Sequence, residues 1–314
     1  MTAVSVDADV RVICGPTAAG KSAVAMWLAG REPTTIISAD SRQVYRGFDI
    51  GTAKPSAEER ARVPHLGIDI SQPTERFSAA AWAEQASAWI EAARREGREP
   101  LIVGGTGLYL RALFEGLFDE PPLDASSRRG LERALAEFDI HELRRWTIAL
   151  DPDRGHLGRT QLLRAIEIAL LTGRRMSELH RVRARPSRWR ARYLLVDPGP
   201  SLADRIAARL DGMFDNGWPR EVERLMTTVP ATAPAWNATG YDTLRRMELG
   251  ELSASAARGA VLIQTRQYAK RQRTWFRHQL PEDAVTRLDP TVPTWQSEVA
   301  AWSDSSRQTR GSVA

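Results

Sequence analysis

Cysteine is almost absent. Cys14 stands alone in 314 residues, so no internal disulfide and no cysteine-rich zinc site can form, and a reducing compartment is expected. No apolar run approaches about eighteen residues, which excludes an ordinary membrane-spanning helix. The leading residues MTAVSVDADVRVIC carry acids where a secretory leader would carry bases. Lysine is nearly missing too: of 44 basic residues only Lys21, Lys54 and Lys270 are lysines. These absences lead to the expectation of a soluble chain without membrane attachment, in the cytoplasm; a monomer is expected as well.

What is present is ordinary in bulk, with 42% hydrophobic and 26% charged residues, so wholesale disorder and fibrous architectures are excluded. The length suits about two domains, with a core that needs no metal or disulfide. The net charge of +5 is carried mostly by arginine, whose planar fork matches phosphate and base edges. A bias toward arginine codons gives the same excess, so basicity alone is a weak pointer to nucleic acid.

In the first hundred residues short apolar runs alternate with helical stretches. Strands are expected at residues 10–14 (VRVIC), 35–39 (TIISA) and 101–103, and a helix at 78–95, N-capped by Ser78 and closed by Gly97. That alternation implies an α/β fold, a P-loop parallel sheet core with helices on both faces, whose ligands bind beyond the carboxyl ends of the strands. From residue 119 the pattern becomes helical (125–138 after Asp124 as N-cap, 140–149, 159–172, 176–183), then a strand returns at 193–196, followed by helices at 201–216 and 253–279. The chain therefore divides into a first core part (1–118), a mostly helical insertion domain (119–191), a second core part (192–302) and a disordered tail (303–314).

Residues 15–22 read GPTAAGKS, the G-x-x-x-x-G-K-[ST] pattern placed directly after a strand and opening a helix. That context identifies a P-loop: backbone N–H groups turn inward, the helix N-terminus adds positive potential and Lys21 adds a full charge. Gly15, Thr17, Ala18, Ala19, Gly20, Lys21 and Ser22 are thus candidate ligands of a diphosphate, and Ser22 of a Mg2+ ion shared with it. Kinases and hydrolases add a strand-end acid that supports magnesium. The only strand-end acid expected is Asp40, which serves either magnesium in phosphoryl transfer or a proton as general base; composition does not separate the two. Arg205 and Arg209, four apart on one helix face, form two guanidinium forks suited to the same anion.

Taken in order, GPTAAGKS, ADSRQVYRGFDIGTAKP (39–55), VGGTGLYL (103–110) and TRQYAKRQRTWFR (265–277) resemble the tRNA dimethylallyltransferase (tRNA isopentenyltransferase) family across most of the chain. The resemblance implies transfer of a dimethylallyl group from dimethylallyl diphosphate to the exocyclic amine of the adenosine just 3′ of the anticodon, releasing pyrophosphate. It implies that the P-loop grips a leaving group, that Asp40 is the general base, and that the Thr106 hydroxyl reaches the bridging oxygen where negative charge grows. The target base must be flipped out of the anticodon loop. The resemblance further implies tRNA contacts at Asp40, Ser41, Arg42, Gln43, Thr106 and Arg128, and at Thr160, Gln161, Leu162, Leu163 and Arg164. There the sequence departs from the family, with Leu157-Gly158 replacing an Asn-Asp pair and Gln161 standing where an arginine is usual.

Residues 174–192 hold eight arginines (174, 175, 181, 183, 185, 188, 190, 192) against Glu178, a candidate phosphate-binding surface for the anticodon stem, with Arg183 and Arg185 at its centre. Arg266, Lys270, Arg273 and Arg277 recur at helical spacing as a basic stripe, with Val261, Tyr268, Trp275 and Phe276 elsewhere around the helix, expected mainly as core. Cys14 reads as a small core residue and His156 as a surface one. Three rivals remain: a prenyltransferase of free adenine nucleotides, a small-metabolite kinase, and a non-catalytic RNA-binding protein. The arginine-rich insertion, the lack of a lid motif and of a second strand-end acid, and the intact Lys21, Ser22, Asp40 and Thr106 argue against them in turn.

Overall fold

A computed structural model describes residues 7–116, 123–182 and 187–311. The chain falls into two compact units, one of Met1–Phe114 with Arg188–Ala314 and one of Glu115–Ser187. The first unit opens with β1 (Asp7–Cys14), α1 (Lys21–Ala29), β2 (Thr34–Ala39), α2 (Ala57–Arg62), β3 (His65–Leu66), α3 (Ala79–Arg95), β4 (Glu99–Gly104) and α4 (Gly107–Phe114). The second holds α5 (Ala125–Ala136), α6 (Ile140–Leu150), α7 (Arg159–Thr172) and α8 (Met176–Val182). The first then resumes with β5 (Trp189–Val196), α9 (Leu202–Asp215), α10 (Trp218–Thr228), α11 (Tyr241–Glu248), α12 (Ala254–Gln279), β6 (Val285–Leu288) and α13 (Trp295–Gly311).

The six strands form one parallel sheet in the order β3-β2-β4-β1-β5-β6. Its strands carry apolar residues to both faces, as burial on both sides requires. Ile13, Ile36, Leu101 and Leu194 pack with α1 and with Val299 and Trp302 of α13. The alternate positions Val12, Ile37 and Ile102 are equally buried, with α3 and α4 among the helices packed on the sheet. Register sets the site: Ala39 pairs with Gly104, Gly104 with Cys14, and Cys14 with Leu195. The carboxyl ends of β2, β4, β1 and β5 therefore lie level, and the loops that follow them meet where such sheets bind ligands.

Ser78 caps α3 by accepting from Ala81 N at 3.1 Å, Asp124 caps α5 through Ser127 N at 2.7 Å, and Gly97 closes α3 at φ 68°. In the second unit Leu135, Leu143, Leu162 and Ile166 build one core cluster and Ile168, Met176 and Leu179 another. Among the described residues no helix is long and apolar enough to cross a membrane.

The structure departs from the sequence expectations in several places, the unexpected helices α2, α10 and α11 among them. β5 begins at Trp189, four residues early, because Trp189, Ala191 and Tyr193 point inward while Arg190 stays exposed and Arg192 half-buried; the arginines mask the alternation. β3 and β6 are too short and polar to register as strands. Residues 303–311, expected as a disordered tail, continue α13. Val299 and Trp302 anchor that helix, and buried Arg11 of β1 donates to the Ser303 hydroxyl while pairing with Glu32 at 2.6 Å.

Candidate active site

The loop between β1 and α1 is bent by three residues at positive φ: Gly15 (145°), Ala18 (62°) and Gly20 (103°). Gly15 is obligatory on packing grounds as well, since a Cβ there would sit 2.1 Å from the Val196 carbonyl oxygen of β5. The first N–H groups of α1 have no intrahelical acceptor and lie at the loop. Lys21 Nζ donates to the carbonyls of Gly15 (3.1 Å) and Pro16 (2.8 Å). Burial, and then the neighbouring Arg209, lower its pKa to about 8 against the opposing pull of Asp40. The Arg209 side chain keeps accessible surface, but that surface lines a cleft, and surrounding protein depresses its pKa while Asp40 opposes the shift. Arg205 Nε donates to Ala18 O at 3.0 Å. Three cations thus crowd one spot, an arrangement that favours a multiply charged anion. Cys14, buried beneath them, has its thiol pushed up to about 12 by burial and is no nucleophile.

Asp40 directly follows β2, and Thr106 lies two residues beyond β4. Gly104 lets these strand ends close up, because a Cβ there would meet Ala39 O at 2.1 Å. Thr106 N donates to Ala39 O (3.1 Å), and its Oγ1 accepts from Ser41 N (3.0 Å). Asp40 Oδ1 accepts from Arg42 N at 2.8 Å, fixing the turn that aims the carboxylate. Asp40, Thr106, Lys21, Ser22 and Arg209 all line one cleft of about 840 Å³, together with Arg42, Tyr268 and Trp275. Burial and the charge of Asp40 push the Tyr268 hydroxyl up to about 12. Gln43, expected to contact tRNA, also lines the cleft, but its Nε2 is committed to Thr52 O and Ala53 O and its Oε1 to the Ser38 hydroxyl. Its amide holds the wall of the cleft.

Several contributors escaped the sequence reading. Lys54 of the DIGTAKP stretch is buried, donating to Tyr45 O (2.6 Å), Asp49 (2.7 Å) and Asp69 (2.5 Å). Buried Glu221 accepts from Asp49 N and Ile50 N and, at 2.6 Å, from the Tyr241 hydroxyl, which itself accepts from Gly51 N. Trp218 closes on this loop so tightly that a Cβ on Gly51 would lie 2.2 Å from its ring. Asp197 is a second acid beyond a strand end, so Asp40 does not stand alone in that respect; Arg273 binds its carboxylate. Gln272 joins the two glycine-rich loops, accepting from Thr17 N and donating to Gly105 O. The Thr17 amide therefore faces Gln272, away from any anion. Long-range pairing reveals the roles of Glu221 and Gln272, whereas Lys54 finds its partners within 15 residues.

The basic stripe on α12 is also reduced: Arg266, Lys270 and Arg277 are exposed, whereas Arg273 is drawn to Asp197 and Gly199 O. Of the aromatic residues on that helix, Phe276 is core and Tyr268 and Trp275 face the cleft.

In the second unit Arg128 (3.5 Å) and Arg164 (2.6 Å) converge on buried Glu167. Thr160 and Gln161 are exposed on the first turn of α7, where Gln161 Oε1 accepts from Gly158 N at 3.3 Å. The Leu162 side chain is fully buried in the helical core and Leu163 packs against that core, so the side chain of Leu162, expected at a tRNA contact, is occupied in packing. Arg183 and Arg185 lie outside the described residues. Arg174 and Arg175 are exposed, whereas Arg188, in the first unit, pairs with Glu91 at 2.7 Å.

Known proteins resemble the chain over most of its length. The family model described as IPP transferase matches residues 43–279, and one described as isopentenyl transferase matches residues 8–75. The chain is 43% identical over 274 residues to the tRNA dimethylallyltransferase of Geobacter metallireducens, covering 85% of this chain and 88% of that protein. The structure of the full-length tRNA isopentenylpyrophosphate transferase of Bacillus halodurans superposes with a TM-score of 0.66 at 31% identity, over 96% of this chain and 99% of that one. A eukaryotic dimethylallyltransferase acting on tRNA shares the fold with a TM-score of 0.77 at 24% identity, over 95% of this chain and 78% of that one.

Proposed function

Because the chain belongs to the IPP transferase family, we propose how its residues divide the work of a tRNA dimethylallyltransferase. The enzyme transfers a dimethylallyl group from dimethylallyl diphosphate to the exocyclic amine of the adenosine 3′-adjacent to the anticodon, releasing pyrophosphate. The observation that carries the assignment of roles is the pairing of strand ends that sets Asp40 beside Thr106 over the cations of the P-loop.

Lys21, Arg205 and Arg209, with the N–H groups opening α1, hold the diphosphate. As the amine nitrogen bonds to the allylic carbon, the carbon–oxygen bond breaks and its electron pair goes to the bridging oxygen. Thr106 donates a hydrogen bond to that oxygen, an interaction strongest in the transition state. The adenine amine is a poor nucleophile because its lone pair is delocalised into the ring, so Asp40 takes its proton as the new bond forms. Arg42, Tyr268 and Trp275 line the same cleft and are suited to receive the flipped base.

Among the described residues no cluster of three or more His, Cys, Asp or Glu is disposed to hold a metal. Magnesium, which binds with few protein ligands plus phosphates and water, fits the exposed Ser22 hydroxyl at the start of α1, within the cleft. When bound it supplies charge neutralisation of the diphosphate. Arg128, Arg164 and the 174–192 arginines are the candidate anticodon-stem contacts. The single buried Cys14 suits a reducing cytoplasm, and a monomer carries every catalytic group named above.

The decisive variant is Asp40→Ala. Single-turnover transfer should fall by roughly 100-fold or more while tRNA affinity persists; near-normal turnover would remove the base role.

A further inference from the structure

Two glycine-rich loops must be spaced correctly for the reaction just described, one holding the diphosphate and one carrying Thr106. They are 88 residues apart in sequence (105 minus 17) and come off different strands. One side chain spans them. Gln272 on α12, only 7% exposed, accepts from Thr17 N at 2.8 Å through Oε1 and donates to Gly105 O at 2.8 Å through Nε2. The geometry points to Gln272 as a positioning residue that sets the distance between the P-loop and the Thr106 hydroxyl.

The chemistry of the contact favours an amide. A neutral carboxamide presents a donor and an acceptor on one rigid plane, whereas a carboxylate presents acceptors alone. The fit is close: a Cβ on Gly105 would lie 2.3 Å from Gln272 Nε2 and 3.2 Å from Gly15 O, so glycine there lets both the amide and the P-loop approach. The next residue extends the same device. Arg273 binds Asp197 and Gly199 O, in the turn that delivers Arg205 and Arg209 on α9. Consecutive residues of one helix thus reach three anion-holding segments. Misplacing a reacting group by about 1 Å costs on the order of 100-fold in rate, so a bridge of this kind acts on turnover more than on tRNA affinity.

The inference rests on the roles assigned above to Thr106 and the P-loop, and a double-mutant cycle separates the two claims. Single-turnover transfer is measured for the wild type, Thr106→Val, Gln272→Leu and the double variant, each with its thermal midpoint and tRNA affinity. Gln272→Leu should slow transfer by about 10- to 100-fold with tRNA affinity unchanged, yet cost no more than about 3-fold further when Thr106 is already Val. Losses that multiply in full would overturn the positioning role while leaving Thr106 intact. A Thr106→Val enzyme at wild-type speed would instead overturn the Thr106 assignment. Should Gln272→Leu fail to fold, Gln272→Glu takes its place in the cycle and adds a test of its own. Protonated, the glutamic acid can donate to Gly105 O; ionised, it cannot. Its rate relative to wild type should therefore rise as pH falls from about 8 to about 6, because burial raises a carboxyl pKa. A ratio constant with pH would contradict the proposal.

Discussion

Lys21 shows how single residues are tuned for an anion. Its amine is held among protein atoms and beside Arg209, so it loses its proton near pH 8, where an ordinary lysine stays charged. A group with a lowered pKa is cationic below that value and neutral above it, so the charge that grips a diphosphate fades as pH rises through about 8. Affinity for dimethylallyl diphosphate, measured without tRNA, should be flat from pH 6.5 to 7.5 and weaken progressively above about 8. The bound anion should also raise the lysine pKa, so binding near pH 8 takes up protons, which calorimetry in buffers of different ionisation enthalpy detects. Affinity unchanged up to pH 9.5 would show that Lys21 is not the titrating ligand.

At the scale of elements, the site is an assembly of strand ends made possible by small residues. Gly15, Gly104 and Gly105 permit approaches that no side chain would allow, and the loop at residues 48–52 is held from outside by α10 and α11. Glu221→Ala would leave Asp49 N, Ile50 N and the Tyr241 hydroxyl without their buried acceptor. Stability should fall by about 3 kcal/mol, as for removal of a buried charged acceptor, read from the denaturant midpoint; a loss under about 0.5 kcal/mol would mean that this network does not hold the loop.

Legibility in the sequence follows the same division. The P-loop and the acid Asp40 are local signals, each at the end of an apolar run, whereas Thr106 is singled out only by the family resemblance; β1, β2 and α3 announce themselves by periodicity and caps. Gln272 and Glu221 carry no local signal: a buried glutamine and an exposed one look alike until the partner 167 residues away is known. β5 was hidden in part by arginines on its outer positions, and α13 by the polar composition of residues 303–311, whose helix is anchored through Val299 and Trp302 upstream.

Over the whole molecule, basic charge is spread across both units, and long-range attraction to RNA follows from its sum. Replacing Arg183 and Arg185 together by Ala should weaken every tRNA alike and reduce the slope of log K against log salt by about 1 to 2. An unchanged slope would take the segment out of the interface.

The central claim, that Asp40 and Thr106 act on a dimethylallyl donor and a tRNA adenosine, is tested most directly by substrate choice. Labelled dimethylallyl diphosphate and Mg2+ are offered with an anticodon stem-loop and free AMP side by side, in a single turnover. Label should appear on the stem-loop alone and vanish when the adenosine 3′ of the anticodon is replaced by guanosine. Label on AMP, or on neither acceptor, would contradict the account.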